Sequence, residues 1–450
     1  KLKVMKEILK QILISILKFE AKLILKKYKP KIVAITGSVG KTSTKDAVYA
    51  ALSRFYFVRK SEKSFNSEIG LPLTILGVPN GWNDPVVWLK NIIEGLELIF
   101  TREKYPEWLV LEIGADKPGD IRNVAKWLYA DVVIITKIGR TPVHIEFFKS
   151  LGELIDEKAS LLRAAKKEGL IVLNADDSAV FELKNKTKNK VVSYGFNDEA
   201  TLSASNSQIL YKKSRKKINP PPDIPDGINF KVNYGGSSLP VLIEGAFGQN
   251  HIYAALAALA MSCGLDLNMV ASADALKNYE IPPGRMKLVE GVKNTLIIDD
   301  TYNSSPAAAE AALETLKDIK TPRAGSGQAK SRKIVIMGDM LELGRHTEEE
   351  HKNIGKLAAR VSDILVTVGV RARFIAEGAL NEGLTEKNIF QFEDSRKAGK
   401  FVEQLSETGD IILIKGSQGV RMERAVEEVM AHPENKEKLL VRQDPEWANR

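Results

Sequence analysis

Cysteine is almost absent from this chain. Cys263 is its single example in 450 residues, so no internal disulfide can form and a disulfide-stapled scaffold is excluded. That usage fits a reducing compartment, and a cytoplasmic protein is expected. Histidine is scarce too, with five, which makes the position of each one informative. Long apolar runs are missing. The longest charge-free run in the first 30 residues is Gln11 to Leu17, far short of a membrane span, and no cleavable small-residue site follows it. A large excess of charge of one sign is missing from most of the chain as well. The net charge is +9, but residues 1–30 hold nine Lys against Glu7 and Glu20, and the rest is almost neutral. A nucleic-acid partner is therefore not expected. No internal repeats occur.

What is present suits a globular protein of two or three domains: 44% hydrophobic and 27% charged residues in 450. Residues 1–30 carry Ile8, Ile12, Leu13, Ile16 and Leu17 at helical spacing. This basic amphipathic helix either lies on an anionic membrane, at its inner face, or packs on the body of the protein. Residues 31–36 read as a buried strand followed by a Gly-rich turn and a helix from about Thr42. Further strands are expected at 108–113, 132–136 and 170–173, with helical stretches such as 150–166 between them. Alternating strands and helices predict an α/β fold with a mostly parallel sheet. Short strand-like runs and a loop at Pro220, Pro221, Pro222 and Pro225 mark a small β excursion over 190–245, before an Ala-rich helix at 249–262. A second, Rossmann-like α/β series has strands expected at 295–298, 333–337, 364–368, 388–392 and 410–414, and a polar loop over 321–332. The linker at Ile281-Pro282-Pro283-Gly284 separates a central domain, 31–282, from a C-terminal one, 283–450.

The turn Thr36-Gly37-Ser38-Val39-Gly40-Lys41-Thr42-Ser43 sits between strand and helix, where backbone N–H groups and a helix N-terminus face an anion. Gly37 and Gly40 permit the tight turn, Lys41 reaches terminal phosphates, and the Thr42 hydroxyl suits Mg²⁺. Only Ser38 and Val39 separate the first Gly from Gly-Lys, where the Walker pattern has four residues, so a generic kinase or GTPase fits poorly. Glu112 ends an apolar strand, where ligands gather in open α/β sheets. His144 follows the 132–136 strand through a loop, and Lys158 reads as an ordinary helix-surface lysine. Asp299 to Pro306 reads as an Asx-type helix cap before 307–316, a reading that is compatible with a role in a site. Arg285 lies just past the linker.

The shortened loop resembles that of the Mur ligases, enzymes that add amino acids to the peptidoglycan precursor. The likeness runs from about 31 to 445. It continues in Asn66-Ser67-Glu68-Ile69-Gly70-Leu71-Pro72, Leu111-Glu112-Ile113-Gly114, Asp299-Asp300-Thr301-Tyr302-Asn303, Gly338-Asp339-Met340-Leu341-Glu342-Leu343-Gly344 and Lys415-Gly416-Ser417. Within the family these runs most resemble the MurF branch, which joins D-alanyl-D-alanine to a UDP-N-acetylmuramoyl-tripeptide through an acyl phosphate. The resemblance implies ATP on Gly37 to Ser43 with Asp300 and Asn303. It implies two Mg²⁺ ions on Thr42, Glu112, His144 and a carbamylated Lys158, and charge stabilisation by Lys41 and Arg285. It places Asn66, Asp339, Glu342, Lys415 and Ser417 on the second-substrate side, in a monomer. Three positions depart from the pattern. Lys137 replaces a family Asn, a longer Arg140-Thr141-Pro142-Val143 loop precedes His144, and Asn250-His251 with Ala254 alters the family's adenine segment. The branch usually carries an N-terminal UDP-sugar domain; only about 30 residues precede the loop here, so either the sugar is held differently or the sequence begins inside a longer chain. The competing readings are a folylpolyglutamate- or cyanophycin-type ligase, and a non-catalytic nucleotide-binding module at a membrane.

Overall fold

The computed structural model describes residues 2–62, 68–213, 223–320, 331–444 and 447. Asn66, Pro220 to Pro222 and the 321–330 part of the expected polar loop lie outside them.

The apolar run at the phosphate loop becomes the centre of a sheet. Strand β1 (Lys31–Thr36) is buried from its second residue on, and such a run suits a strand covered on both faces. It pairs in parallel with β3 (Trp108–Glu112) on one side and β4 (Ala130–Ile135) on the other. With β2 (Val58–Lys60), β5 (Ala165–Asn174), β6 (Lys190–Gly195), β7 (Leu202–Lys213), β8 (Asp223–Tyr234) and β9 (Ser237–Glu244) the order is β2-β3-β1-β4-β5-β6-β7-β8-β9. Strand β8 runs antiparallel to both β7 and β9, and these three form the β excursion; β6, inside the expected 190–245 span, instead pairs in parallel with β5. The chain leaves β1 for both sides of the sheet, so a crevice opens beyond its C-terminal end, where the glycine turn sits.

Two expectations shift. The stretch 150–166 is helical only to Ala164, and the strand after it begins at Ala165. Pro225 lies inside β8 rather than in a loop. There β8 pairs with β7 alone, at Tyr211 beside a register shift, and pairing with β9 begins only at Gly227. A missing N–H is tolerated at such a place.

The second sheet holds β10 (Lys287–Glu290), β11 (Leu296–Asp300), β12 (Lys333–Gly338), β13 (Ile364–Val368), β14 (Ile389–Phe392) and β15 (Ile411–Lys415), in the order β10-β11-β15-β12-β13-β14. Only β10, which the sequence did not reveal, runs antiparallel. The C-terminal ends of β11, β12 and β15 carry Asp300, Gly338-Asp339 and Lys415.

Helix α1 (Leu2–Tyr28) buries Leu17, Ala21 and Ile24 and packs against α3 (Gly70–Leu76) and α4 (Pro85–Phe100). Lys27 Nζ donates to the carbonyls of Leu98 and Ile99, both at 2.9 Å, satisfying the C-terminal end of α4. Helix α2 (Lys41–Ser53) packs behind the glycine turn against the helix Gln249–Gly264.

The loop after β4 is tied down by Asp177. Its carboxylate accepts N–H bonds from Ile138 at 2.8 Å, Gly139 at 2.9 Å and Val180 at 3.1 Å. Asp177→Ala strands buried donors and should lower the unfolding free energy by about 2–4 kcal/mol. Urea unfolding monitored by circular dichroism reads this directly.

Candidate active site

Beyond β1 the chain turns at Gly37, whose φ of +147° and surroundings exclude a side chain: a Cβ there would meet Thr136 Oγ1 at 1.9 Å. The Lys137 carbonyl accepts from the Ser38 and Val39 amides at 2.8 and 3.0 Å, and Thr136 Oγ1 donates to the Val39 carbonyl at 2.8 Å. These two amides are thus engaged by the neighbouring strand's continuation. It is the N-terminal turn of α2, after Gly40 at φ +88°, that offers free backbone donors to an anion.

Two lysines converge on this turn. Lys41 Nζ donates to the Gly37 carbonyl at 2.9 Å, and Lys158 Nζ donates to the same oxygen at 3.0 Å. Lys158 is 3% exposed rather than on the surface, as its sequence context suggests. The helix Leu151–Ala159 aims it inward. Ser150 Oγ accepts from the Glu153 N–H, and the Glu153 carboxylate accepts from the Lys149 N–H, which sets the first turn. Burial first, and then the adjacent Lys41 ammonium, pull the Lys158 pKa down to about 7. Burial also lowers Lys41, against the opposing effect of Glu112.

Thr42 Oγ1 donates to Glu112 Oε2 at 2.9 Å and accepts from Arg285 Nη2 at 3.4 Å. Glu112 is buried at the end of β3, beside the turn on β1. Arg285 comes from the segment that precedes β10 and lies over the Tyr302 ring at 4.0 Å. Its Nε is buried without a hydrogen-bond partner, as are the hydroxyls of Thr36 and Ser38. A phosphoryl group is the kind of ligand such donors suit.

His144 sits at φ +67°, with Nε2 3.6 Å from Asp116 Oδ1 and Nδ1 2.5 Å from Glu342 Oε2. The contact with His144 holds the Glu342 carboxyl below the usual range despite partial burial. It links a loop of the first sheet to one of the second, joining residues that the sequence assigned to different parts of the site. Asp116, which sequence reasoning missed, acts electrostatically on both Lys41 and Lys158. Its only signal was position, four residues beyond Glu112.

The second-sheet candidates form a separate knot. Lys415 Nζ donates to Asp300 Oδ2 at 2.6 Å and to the Asn303 carbonyl at 3.0 Å, both from a nearly sealed position. Ser417 Oγ accepts from the Leu341 N–H at 2.9 Å and donates to the Ser304 carbonyl at 3.3 Å. The Asp339 carboxylate is taken up by the Ala372 N–H at 2.7 Å, with Arg371 at 3.9 Å. The cap of the helix Pro306–Asp318 is Ser305, so Asp299 and Asp300 are not its cap residues.

His251, at the start of the helix Gln249–Gly264, is another residue the sequence did not single out for a role. A carbonyl can only accept, so His251 Nε2 carries the proton that bonds the Arg285 carbonyl at 2.9 Å. Nδ1 then accepts from Tyr279 Oη at 2.9 Å. Beside Val39 and Gly40 a small cavity is lined by Asn174, Tyr194, Asn250 and Tyr253.

Among the described residues no three His, Cys, Asp or Glu side chains form a ready-made metal cage. The hard oxygens of Thr42 and Glu112 still fit Mg²⁺, which usually takes one or two protein ligands and completes its shell with phosphate oxygens and water.

These features define an α/β protein with a shortened phosphate loop facing a second sheet. The chain belongs to the Mur ligase family: the Mur ligase middle domain matches residues 35–88 and 89–262, and the Mur ligase glutamate ligase domain matches 284–418. It is 26% identical over 416 residues to the UDP-N-acetylmuramoyl-tripeptide–D-alanyl-D-alanine ligase of Bacillus subtilis, covering 92% of this chain and 79% of the relative. The ligase of the same name from Mycobacterium leprae is 28% identical over 400 residues, 86% of this chain and 71% of the relative. The crystal structure of MurF ligase from Thermotoga maritima in complex with ADP superposes with a TM-score of 0.72 at 24% identity, covering 95% of this chain and 84% of that one.

The pKa of His251 is pushed down to about 4, chiefly by burial. The unfolded chain binds that proton from an ordinary value near 6.5, so stability is complete above pH 6.5 and is lost as pH falls towards 4, by about 3 kcal/mol for this one group. His251→Gln should flatten the unfolding free energy across that window, measured by urea titrations at successive pH values.

Proposed function

We propose that this chain is an ATP-dependent ligase of peptidoglycan precursor synthesis that adds D-alanyl-D-alanine to a UDP-N-acetylmuramoyl-tripeptide. The observation that carries the reading is the convergence of Lys41, Lys158, Thr42 and Glu112 on one glycine turn, with Arg285 reaching it from the second sheet. The names of the curated relatives supply the substrates.

A carboxylate is a poor electrophile because its charge is delocalised. In the proposed first step a carboxylate oxygen of the tripeptide attacks the γ-phosphorus of ATP, the bond to ADP breaks, and an acyl phosphate forms. The dipeptide amine then attacks the acyl carbon and inorganic phosphate leaves, giving the amide. Gly37, Ser38, Val39, Gly40 and Ser43 shape the phosphate turn. Lys41 and Arg285 neutralise charge on the transferring group. Thr42 and Glu112 would hold one Mg²⁺, and His144 with a carbamylated Lys158 a second; such ions would supply charge neutralisation at the phosphates. Asp300 and Asn303 serve the nucleotide. Asn66, Asp339, Glu342, Lys415 and Ser417 belong to the amine side. The chain acts as a monomer.

Lys158 is suited to carbamylation. With a pKa of about 7, much of it is a neutral amine at neutral pH. That nitrogen attacks the carbon of CO₂ and loses a proton, turning a cation into an oxygen ligand.

Phosphate release should require ATP, Mg²⁺, the UDP-muramoyl-tripeptide and D-alanyl-D-alanine together, and glutamate should not replace the dipeptide. Lys41→Ala should lower kcat by roughly 10²–10³-fold or more. Turnover with glutamate instead would favour a folylpolyglutamate-type ligase, and ATP binding without phosphate release from any acceptor would point to a non-catalytic module.

The modification has its own signature. Protonation blocks it, so activity should fall as pH drops below about 7 and recover in part with added bicarbonate. Lys158→Ala should be inactive and partly rescued by a short carboxylate such as propionate. Bicarbonate-independent activity together with no rescue would remove the carbamate from the mechanism.

A further inference from the structure

Helix α1 is apolar on two sides. One side is buried through Leu17, Ala21 and Ile24. The other carries Ile8, Ile12, Ile16 and Phe19 at helical spacing, 37% to 63% exposed. Helix α4 extends this surface with Val86, Leu89, Ile93, Leu96 and Phe100, which share one face of the helix and are 43% to 82% exposed. A groove between the two helices joins both stripes, with Ile12, Phe19, Ile92 and Leu96 in its walls. Single exposed apolar side chains are ordinary on a protein surface, whereas a contiguous two-helix patch marks an interaction site. None of these residues belongs to the cluster around Gly37.

Charge decides what covers the patch. Residues 1–30 hold nine Lys against Glu7 and Glu20, and Lys22 and Lys26, exposed and three and seven residues beyond Phe19, continue its side of the helix. A second copy seated here would bring two such excesses together. An anionic lipid surface is complementary to them, and its acyl boundary accepts the apolar stripes. Glu20, the one acidic side chain among the described residues that line the groove, is buried with no hydrogen-bond partner, and burial pushes its pKa up to about 7, which reduces its opposing charge. No described helix is long and apolar enough to cross a membrane, so a contact of this kind lies in the surface plane.

We propose that the joint face of α1 and α4 docks the protein peripherally on an anionic lipid bilayer, with its apolar stripes at the acyl boundary and Lys22 and Lys26 among the lipid phosphates. The inference stands apart from the ligase reading.

Leu17, Ala21 and Ile24 are core residues, so the test keeps the chain whole. The whole 450-residue chain is floated with vesicles of phosphatidylcholine alone, or of phosphatidylcholine and phosphatidylglycerol in roughly equal parts, beside a Phe19→Glu, Leu89→Glu, Phe100→Glu variant. Wild type should float with the phosphatidylglycerol vesicles and bind phosphatidylcholine about tenfold less. The variant should lose about tenfold in binding while retaining its thermal melt and its phosphate release. High salt should weaken wild-type binding. Failure of folded wild type to bind phosphatidylglycerol vesicles overturns the proposal. So does sedimentation of wild type as a dimer that the variant dissociates, because a second copy would then cover the face.

Discussion

A single carbonyl oxygen, that of Gly37, receives the ammonium groups of both Lys41 and Lys158. Two like charges on one oxygen in a buried place are costly, and the surroundings compensate in two ways. The carboxylates of Glu112 and Asp116 offset the positive field at Lys41, and Lys158 is driven towards its neutral form. The turn itself is held by β4's continuation. The Lys137 carbonyl fixes two of its amides and Thr136 fills the space a side chain at Gly37 would need. The charge at the turn is thus placed before any anion arrives, which is the condition for electrostatic stabilisation without reorganisation.

The second sheet completes this centre through few contacts. Arg285 reaches Thr42, His144 meets Glu342, and Thr141 Oγ1 donates to Glu350 at 2.6 Å. The Arg285 backbone is held by a neutral histidine, so the guanidinium is positioned from the first sheet's side by the helix Gln249–Gly264. Within the second sheet, Lys415 binds Asp300 and the Asn303 carbonyl, joining the ends of β15 and β11. Residues that differ in expected role therefore share one hydrogen-bond network.

Much of the architecture was legible because its signals are local. Apolar strands bounded by glycine turns predicted most of both parallel series, and the β excursion announced itself by a change of pattern. Short edge elements such as β2 and β10 escaped, since three or four residues carry no periodicity. Glu112 was legible from its place at a strand end. Lys158 was not: its neighbours look like a solvated helix face, and its burial comes from the approach of the glycine turn, 121 residues away in sequence.

By itself the sequence determined the alternation of strands and helices, the glycine turn with Lys41 and Thr42, and a basic, apolar first helix, because each is written in consecutive residues. Tertiary structure alone decided that Lys158 faces Gly37, that His144 meets Glu342, that His251 holds Arg285, and that one side of α1 stays uncovered beside α4. Burial, proton affinity and pairing depend on what the rest of the chain brings close, and no local pattern encodes that neighbour.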